Sequence, residues 1–217
     1  MKKAKRAKPS ERDGDTERRI LDAARIVFVR SGTAGARMQE IAEEAGVNQA
    51  LLHYYFRTKE RLAATVFREA AARLLPAALG VFSSDIPLEE KVERFVHIYI
   101  DTVRETPFIP GYMLSELHHH PERLTAMLDA AGVKPAPIAD AFRKKLALQI
   151  DERVRQGKMR PISADQFFVN MMGLLVVPFI TRPVLSAVFR MNDAAFKRFL
   201  DERRQMLQGL ILNSVKP

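Results

Sequence analysis

Residues 38–56 read MQEIAEEAGVNQALLHYYF, and this stretch decides the fold of the N-terminal part of the chain. Apolar residues recur at helical spacing from Met38 to Ala45, Gly46 interrupts the pattern, and a second short helix is predicted from about Asn48 to Tyr55. Two short helices joined by a tight turn are typical of a helix-turn-helix. A small residue such as Ala42 lets the helices cross closely, and glycine gives the turn its backbone freedom.

The second helix of this motif has two different faces. Leu52 and Phe56 lie one turn apart and form a candidate inner ridge, although periodicity alone leaves open whether Leu51 or Leu52 points inward. A polar ridge is formed by Gln49 and His53, beside Ala50 and Tyr54. A helix that carries amide, imidazole and phenol groups can enter a major groove and reach base edges and phosphates.

The rest of the sequence is also helical in pattern. We predict a helix that begins at Thr16 and stops at Gly32, and a longer helix that is capped by Thr58 and frays near Pro76. Further helices are predicted over about 88–104, 111–119, 121–131, 137–156, 164–189 and 194–213. No alternating strand pattern occurs, so we expect an all-α chain of eight to ten helices.

Composition narrows the possible functions. The 217 residues include no cysteine, which excludes disulfides, zinc–thiolate sites and thiol nucleophiles. The formal net charge of +9 favours a polyanionic partner. The first twelve residues carry a net charge of +5, more than half of this total. We therefore expect residues 1–13 to be a disordered basic arm. Such an arm is either a solubility tail or a DNA contact.

Hydrophobic patterning gives no sign of a membrane segment. The longest apolar run, 167–180, is shorter than a membrane span and is interrupted by polar and helix-breaking residues. The basic start is followed by the polar run Ser10–Glu17 where a signal peptide would have an apolar stretch. We therefore expect a cytoplasmic protein with no membrane partner.

The helix-turn-helix and its flanks carry a recognisable pattern. Its elements are Ile20–Ala24, Phe28, Gly32, Ile41–Val47, Leu52, Tyr54–Phe56 and Lys59–Glu60. The stretch Thr16–Leu62 resembles the DNA-binding domain of TetR-type transcriptional regulators. The resemblance implies a three-helix DNA-binding domain over 14–74, with its motif at 37–56, and a larger helical ligand-binding and dimerisation domain over 75–217. Beyond residue 62 the chain is similar to this family in length and helical character only.

The resemblance also implies which residues contact DNA. The second motif helix is then the recognition helix, and Lys59 matches a usual phosphate-binding lysine. The implied DNA-binding set is Arg37, Asn48, Gln49, Ala50, His53, Tyr54, Tyr55 and Lys59. Arg37 stands where the family usually has Thr or Ser, and Leu51 and His53 replace the common Thr and Tyr. The operator therefore need not be similar to that of better-known members.

The family pattern assigns the second half to dimerisation and ligand binding. The apolar segments 164–189 and 194–213 are expected to pair with those of a second copy as a four-helix bundle, giving a homodimer on a palindromic DNA operator. The inducer is an unknown small molecule, and no cofactor is expected. Candidate cavity residues, which an ordinary core would explain equally well, are Phe95, Ile98, Tyr99, Thr102, Phe108, Met113, Leu117, Phe142, Met171 and Leu175.

The expected function is a ligand-responsive homodimeric repressor. An activator is a variant of this hypothesis, and the alternative is a small-molecule sequestering or interaction protein that has lost DNA binding. Gln49, Lys59, Arg37 and the basic arm argue against that alternative. An enzyme is not expected, because a Gly-rich phosphate loop, a nucleophile elbow and an HExxH motif are all missing. The run His118–His120 predicts no metal site, since adjacent helical residues diverge by about 100°.

Overall fold

The computed structural model describes residues 9–119 and 135–217 of the chain. Within these ranges the chain is α-helical and has no β-strand, which confirms the predicted all-α fold. The basic residues 1–8 and the predicted helix over 121–131 lie outside the described residues. The helices are α1 Pro9–Gly35, α2 Met38–Ala45, α3 Gln49–Tyr55, α4 Lys59–Ser83, α5 Leu88–Arg104, α6 Ile109–His119, α7 Pro135–Arg155, α8 Ala164–Ile180, α9 Arg182–Val188 and α10 Asp193–Asn213.

The chain divides into two compact units. Unit 1 is Met1–Glu69 and unit 2 is Ala70–Pro217, so the division falls inside α4. In unit 1, α1 packs against α2, and α2 packs against α3. The core side chains of unit 1 are almost fully buried, and each Val, Leu, Ile or Phe among them contributes about 1.5–3 kcal/mol relative to exposure. They include Ile20, Ala24, Val27, Phe28, Ile41, Ala42, Leu52, Leu62 and Val66.

The first helix differs from the prediction at both ends. It begins at Pro9, not at Thr16, so the predicted disordered arm over 1–13 is wrong for residues 9–13. Proline suits the first turn of a helix because its ring fixes φ and its missing N–H would have no intrahelical partner there. Gly32 interrupts the helix with φ 66° and ψ 169°, after which helical residues continue to Gly35.

The fourth helix runs through Pro76 to Ser83, so the predicted fraying near Pro76 is wrong. Proline removes one helical hydrogen bond. The part of α4 after Pro76 is stabilised by contacts from other helices to its last turn. The buried Lys91 ammonium donates to the Phe82 carbonyl at 3.0 Å, and Lys145 donates to the Ser83 carbonyl. These lysines satisfy carbonyls at the helix end that have no helical partner.

The predicted helix over 164–189 is two helices. Helix α8 ends at Ile180 and α9 begins at Arg182, with a bend of 62° between them. Pro183 lies in the first turn of α9, where it cannot continue the hydrogen bonding of α8 and disfavours helical geometry in the residue before it. The Thr181 hydroxyl donates to the Val177 carbonyl at 2.8 Å and completes the end of α8.

Unit 2 is built around α5, whose apolar face packs against α7, α8 and α10. Aromatic rings from different helices pack together in this core. The ring centroids of Phe82 and Phe95 are 5.0 Å apart, and those of Tyr99 and Phe179 are 6.2 Å apart. On the surface, Arg204 of α10 donates two hydrogen bonds to the Asp101 carboxylate of α5, one from Nε and one from a terminal guanidinium nitrogen, each at 3.0 Å. Within the described residues, no single helix is both long and apolar enough to cross a membrane.

Candidate nucleic-acid interface

The turn between α2 and α3 is held in two ways. Gly46 adopts a left-handed conformation (φ 63°, ψ 37°), and the backbone N–H of Val47 donates to the Ala42 carbonyl at 3.0 Å. Arg19 of α1 donates to the carbonyls of Ala45 at 2.6 Å and Gly46 at 3.2 Å. A Cβ at Gly46 would lie 3.1 Å from the Arg19 guanidinium, so space and backbone conformation both favour glycine. Nothing in the sequence pattern singled out Arg19.

Helix α3, the predicted recognition helix, is short and is fixed at its start and along its inner face. Asn48 caps α3, because its side-chain oxygen accepts a hydrogen bond from the Leu51 backbone N–H at 2.7 Å. Leu52 is 0% exposed and Phe56 is 5% exposed, whereas Leu51 is half-buried. Leu52 is therefore the inward residue that periodicity left open, and the predicted inner ridge is confirmed.

The outer face of α3 brings together four of the predicted DNA-contacting residues. Gln49, Ala50, His53 and Tyr54 are all exposed, and 76% of the Tyr54 surface is accessible. The His53 Nδ1 atom lies 3.2 Å from the Arg57 carbonyl oxygen, which orients the imidazole along the end of the helix. Amide, imidazole and phenol groups thus project from one rigid surface that takes little part in the core.

Tyr55 is placed differently from its neighbour. Its ring is half-buried, and its hydroxyl donates to the Asp13 carboxylate of α1 at 2.9 Å. The ring meets that of Tyr54 edge-on, with centroids 5.3 Å apart and an interplanar angle of 88°. Partial desolvation and the neighbouring Asp13 carboxylate raise the pKa of Tyr55, because both disfavour the phenolate.

Two cations predicted to bind DNA lie near the two ends of the motif, and they differ in whether the side chain bonds within the protein. Arg37 precedes α2, where the Glu40 carboxylate accepts a hydrogen bond from its backbone N–H at 3.4 Å. The Arg37 guanidinium is exposed and makes no hydrogen bond or ion pair with the described residues. The Lys59 ammonium instead donates to the carbonyls of Ala34 at 3.0 Å and Ala36 at 3.1 Å.

Two further arginines, which the sequence pattern did not single out, lie near the predicted recognition helix α3. Arg57 lies two residues after the end of α3 and Arg61 lies in the first turn of α4, and both side chains are exposed. Neither forms an ion pair within the described ranges. Their position close behind the motif was the available signal, because a cation beside a groove-binding helix is well placed for a phosphate.

Comparison with known proteins identifies the family. A family model described as "Bacterial regulatory proteins, tetR family" matches residues 20–66, which run from α1 into α4. The HTH-type transcriptional regulator RutR of Escherichia coli K12 is 31% identical over 151 residues, covering 66% of this chain and 64% of RutR. The chain belongs to the tetR family. The HTH-type regulator SrpR of Pseudomonas putida is 34% identical over 154 residues, covering 70% of this chain and 66% of SrpR.

The matches to RutR and SrpR span just under two thirds of those relatives' lengths. Solved structures extend the likeness to the whole tetR-family fold. The ketosteroid transcriptional regulator KstR2 of Mycobacterium tuberculosis has a TM-score of 0.62 at 15% identity, covering 95% of both chains. HlyIIR, a hemolysin II transcriptional regulator, has a TM-score of 0.57 at 23% identity, covering 94% of this chain and 99% of HlyIIR. At such identities the likeness concerns the fold alone.

The predicted ligand-contacting residues of this tetR-family chain fall into different environments. Phe95, Tyr99, Met171 and Leu175 are at most 4% exposed and pack in the core of unit 2. Half-buried positions are held by Ile98, Thr102, Phe108, Met113 and Phe142. The side chain of Leu117 is outside the described part of the chain. Core packing, the alternative that the sequence left open, therefore accounts for the four most buried residues.

Phe142 borders a surface cavity of about 380 Å³ between α7 and α8. Its ring packs edge-on against Phe168 with centroids 5.2 Å apart, and Arg143 pairs with Asp165 at the rim. No group of three or more His, Cys, Asp or Glu side chains that could hold a metal lies within the described ranges. His120, the last residue of the histidine run, is outside those ranges.

The C-terminal helices expose an apolar groove of about 760 Å³. Its walls come from α8, α9 and α10 and include Leu174, Val177, Leu185 and Phe199. Arg203 lies in this groove, where it donates to the Leu174 carbonyl at 2.6 Å and covers the Phe199 ring at 5.4 Å. Further exposed apolar side chains on these helices are Val169, Val184, Val188, Met206 and Leu210.

Proposed function

We propose that this tetR-family chain is a ligand-responsive transcriptional repressor that binds a palindromic DNA operator as a homodimer and is released by a small molecule. One observation carries the DNA-binding part, the outer face of α3. Its four exposed side chains sit on a helix that is capped by Asn48 and anchored by Leu52. Side chains that are exposed on a rigid helix of this motif are free to contact base edges.

The charges around this face suit a duplex. Arg37, Arg57 and Arg61 are exposed cations without ion pairs in the described ranges, and each can neutralise a phosphate. Lys59 keeps one ammonium hydrogen free after its two bonds to carbonyls, so a phosphate contact remains compatible with its position. The alternative, a sequestering protein without DNA binding, does not explain why the polar side chains of α3 and these cations lie together on one surface.

The homodimer is supported by the groove on α8, α9 and α10. Soluble monomers rarely leave a large contiguous apolar surface open to water, and a second copy of the same surface would cover it. Gly173 of α8 and Gly209 of α10 face open space, because among the described residues no atom outside their own stretch of helix lies within 4 Å of a Cβ built there. A helix-interior glycine costs about 1 kcal/mol relative to alanine, a cost that close approach of a partner helix would offset.

The inducer site that we favour is the cavity at α7 and α8. Its volume of about 380 Å³ is at the small end of ligand pockets, and its Phe142 and Phe168 walls suit an apolar or aromatic group. The Arg143–Asp165 pair at the rim offers both charges to polar substituents.

Selection on randomised duplex DNA with the purified full-length chain tests the DNA-binding proposal. We expect a palindromic consensus. Gln49→Ala should relax the preference at one symmetric pair of positions, because a glutamine–adenine contact discriminates by about 1–3 kcal/mol. Gln39→Ala removes an exposed amide from α2 and is the matched control, which should keep the full consensus. If only the Gln39 variant loses sequence preference, then α2 reads the bases and our assignment of base reading to α3 is wrong.

Light scattering of the full chain tests the dimer. Val177→Arg places a charge in the groove and should give monomers with unchanged helicity. Leu148→Arg makes a comparable change at an exposed position on α7 that does not line the groove, and it should remain dimeric. A dimer that survives Val177→Arg but dissociates in Leu148→Arg would place the interface elsewhere.

A further inference from the structure

The imidazole of His53 is held by a backbone oxygen near the end of α3. Its Nδ1 atom lies 3.2 Å from the carbonyl oxygen of Arg57, four residues further along the chain. A carbonyl oxygen can only accept a hydrogen bond, so the hydrogen of this bond must lie on Nδ1. Of the two neutral tautomers of the imidazole, the contact therefore selects the one that carries its hydrogen on Nδ1.

The second ring nitrogen of His53 is available to a partner outside the chain. The side chain is exposed, and Nε2 makes no hydrogen bond within the described residues. The planar ring directs Nε2 away from the Arg57 carbonyl that holds Nδ1. In a neutral imidazole one nitrogen donates and the other accepts, so Nε2 presents a lone pair to whatever α3 faces.

The chemistry of a lone pair limits what Nε2 can bind on a duplex. An imidazole exposed to water is uncharged at about pH 8 and then attracts no phosphate. Phosphate oxygens are themselves acceptors, so they cannot bond to Nε2. In the major groove, guanine and thymine also present acceptors, whereas adenine N6 and cytosine N4 are amines that donate. An exocyclic amine is therefore the group on DNA that fits this nitrogen.

We propose that His53 is a specificity-determining residue, which accepts a hydrogen bond at Nε2 from the exocyclic amine of an adenine or a cytosine in the major groove. This inference rests on the proposed DNA-binding function and specifies one base contact within it. The Arg57 carbonyl acts through the imidazole, because it fixes the nitrogen that carries the hydrogen. A guanine or thymine at the same place sets one lone pair against another and is disfavoured.

NMR of the full-length chain labelled with ¹⁵N-histidine tests the tautomer. At about pH 8 the ¹⁵N chemical shifts of the two ring nitrogens identify the one that carries hydrogen. The chain has five histidines, and the signals that disappear in His53→Gln belong to His53. We expect the hydrogen on Nδ1. A hydrogen on Nε2, or an equal mixture of the two tautomers, would overturn the inference.

Base analogues in the selected operator test what Nε2 contacts. Selection at about pH 8 with the wild type and His53→Ala identifies the symmetric pair of positions at which the variant loses preference. In one half-site, 2-aminopurine then replaces a preferred adenine and moves its amine to the minor groove, or 2-pyrimidinone replaces a preferred cytosine and removes its amine. Loss of one hydrogen bond should weaken wild-type binding by about 2- to 10-fold. His53→Ala should bind the natural and the altered operators equally.

Two controls separate this contact from others. A 7-deazapurine at the same base pair removes the N7 acceptor and keeps the amine, so wild-type binding should not change. Gln49→Ala alters an exposed side chain one turn away and should remain as sensitive to loss of the amine as the wild type. His53→Ala should keep the wild-type slope of log K against log salt, because a neutral imidazole neutralises no phosphate.

Each outcome bears on a distinct claim. If the wild type selects no consensus, the proposed function fails and this inference fails with it. If the wild type selects a consensus that His53→Ala keeps in full, or if loss of the amine leaves wild-type binding unchanged, the inference alone is overturned. Weaker wild-type binding to the 7-deazapurine operator also overturns it, because His53 would then donate to a base. A salt slope that His53→Ala shallows by about 1.8 does so as well, since it indicates a charged imidazole on one phosphate in each protomer.

Discussion

Replacement of Lys59 by methionine separates a structural role from a DNA-binding role. The variant keeps the side-chain stem and removes the ammonium that bonds to the Ala34 and Ala36 carbonyls. Hydrogen bonds from a charged donor contribute about 1.5–3 kcal/mol each when buried. Lys59 is only half-buried, so water replaces part of this stabilisation, and we expect the free energy of unfolding to fall by about 1 kcal/mol. For a unit of this size that change lowers the melting temperature by about 4–8 °C.

Thermal unfolding by circular dichroism measures this change, and hydrogen exchange of peptides covering residues 30–45 locates it. Lys144→Met removes an exposed lysine from α7 and should melt like the wild type. If Lys59 also binds one phosphate in each protomer, its replacement shallows the salt slope of DNA binding by about 1.8. A Lys59→Met variant that melts within about 1 °C of the wild type, with unchanged exchange, would refute the structural role.

Two further predictions concern the stability of the two units. Leu52→Ala should cost about 2–5 kcal/mol in urea unfolding, whereas Leu51→Ala should cost less than about 1 kcal/mol, and the reverse order would mean that α3 is rotated. The hydrogen bond from Arg153 lowers the pKa of Glu89. The Arg153–Glu89 pair therefore stabilises the fold fully above the ordinary carboxylate pKa, and this stabilisation is lost as the pH falls from there through the lowered pKa of Glu89. Glu89→Gln should therefore lose less stability than the wild type between about pH 6 and pH 3, by about 0.5–1 kcal/mol, and equal losses would contradict this.

The helix-turn-helix was predictable because its signals are local. The periodicity of Met38–Ala45, the turn at Gly46 and the caps at Asn48 and Thr58 all lie within a few residues of the structure they specify. The bounds of α2 agree with the prediction to the residue. The outer face of α3 followed from the same periodicity.

Contacts between residues that are distant in sequence were not predicted. Helix α4 continues past Pro76 with help from Lys91 and Lys145, and the second of these is 62 residues away from the carbonyl it binds. Tyr55 finds its acceptor 42 residues earlier, and Lys59 finds its carbonyls 25 and 23 residues earlier. A pattern in one sequence cannot reveal such pairs, so both side chains were assigned to DNA without their internal contacts.

The division of labour on α3 has an evolutionary consequence. The helix has seven residues, too few to be stable alone, and its shape is imposed by Asn48, Leu52 and the packing beneath it. Gln49, Ala50 and Tyr54 contribute almost nothing to that support, so they can be exchanged at little thermodynamic cost. Mutation can therefore retarget such a surface to a new operator one side chain at a time, while the scaffold that presents it is inherited unchanged.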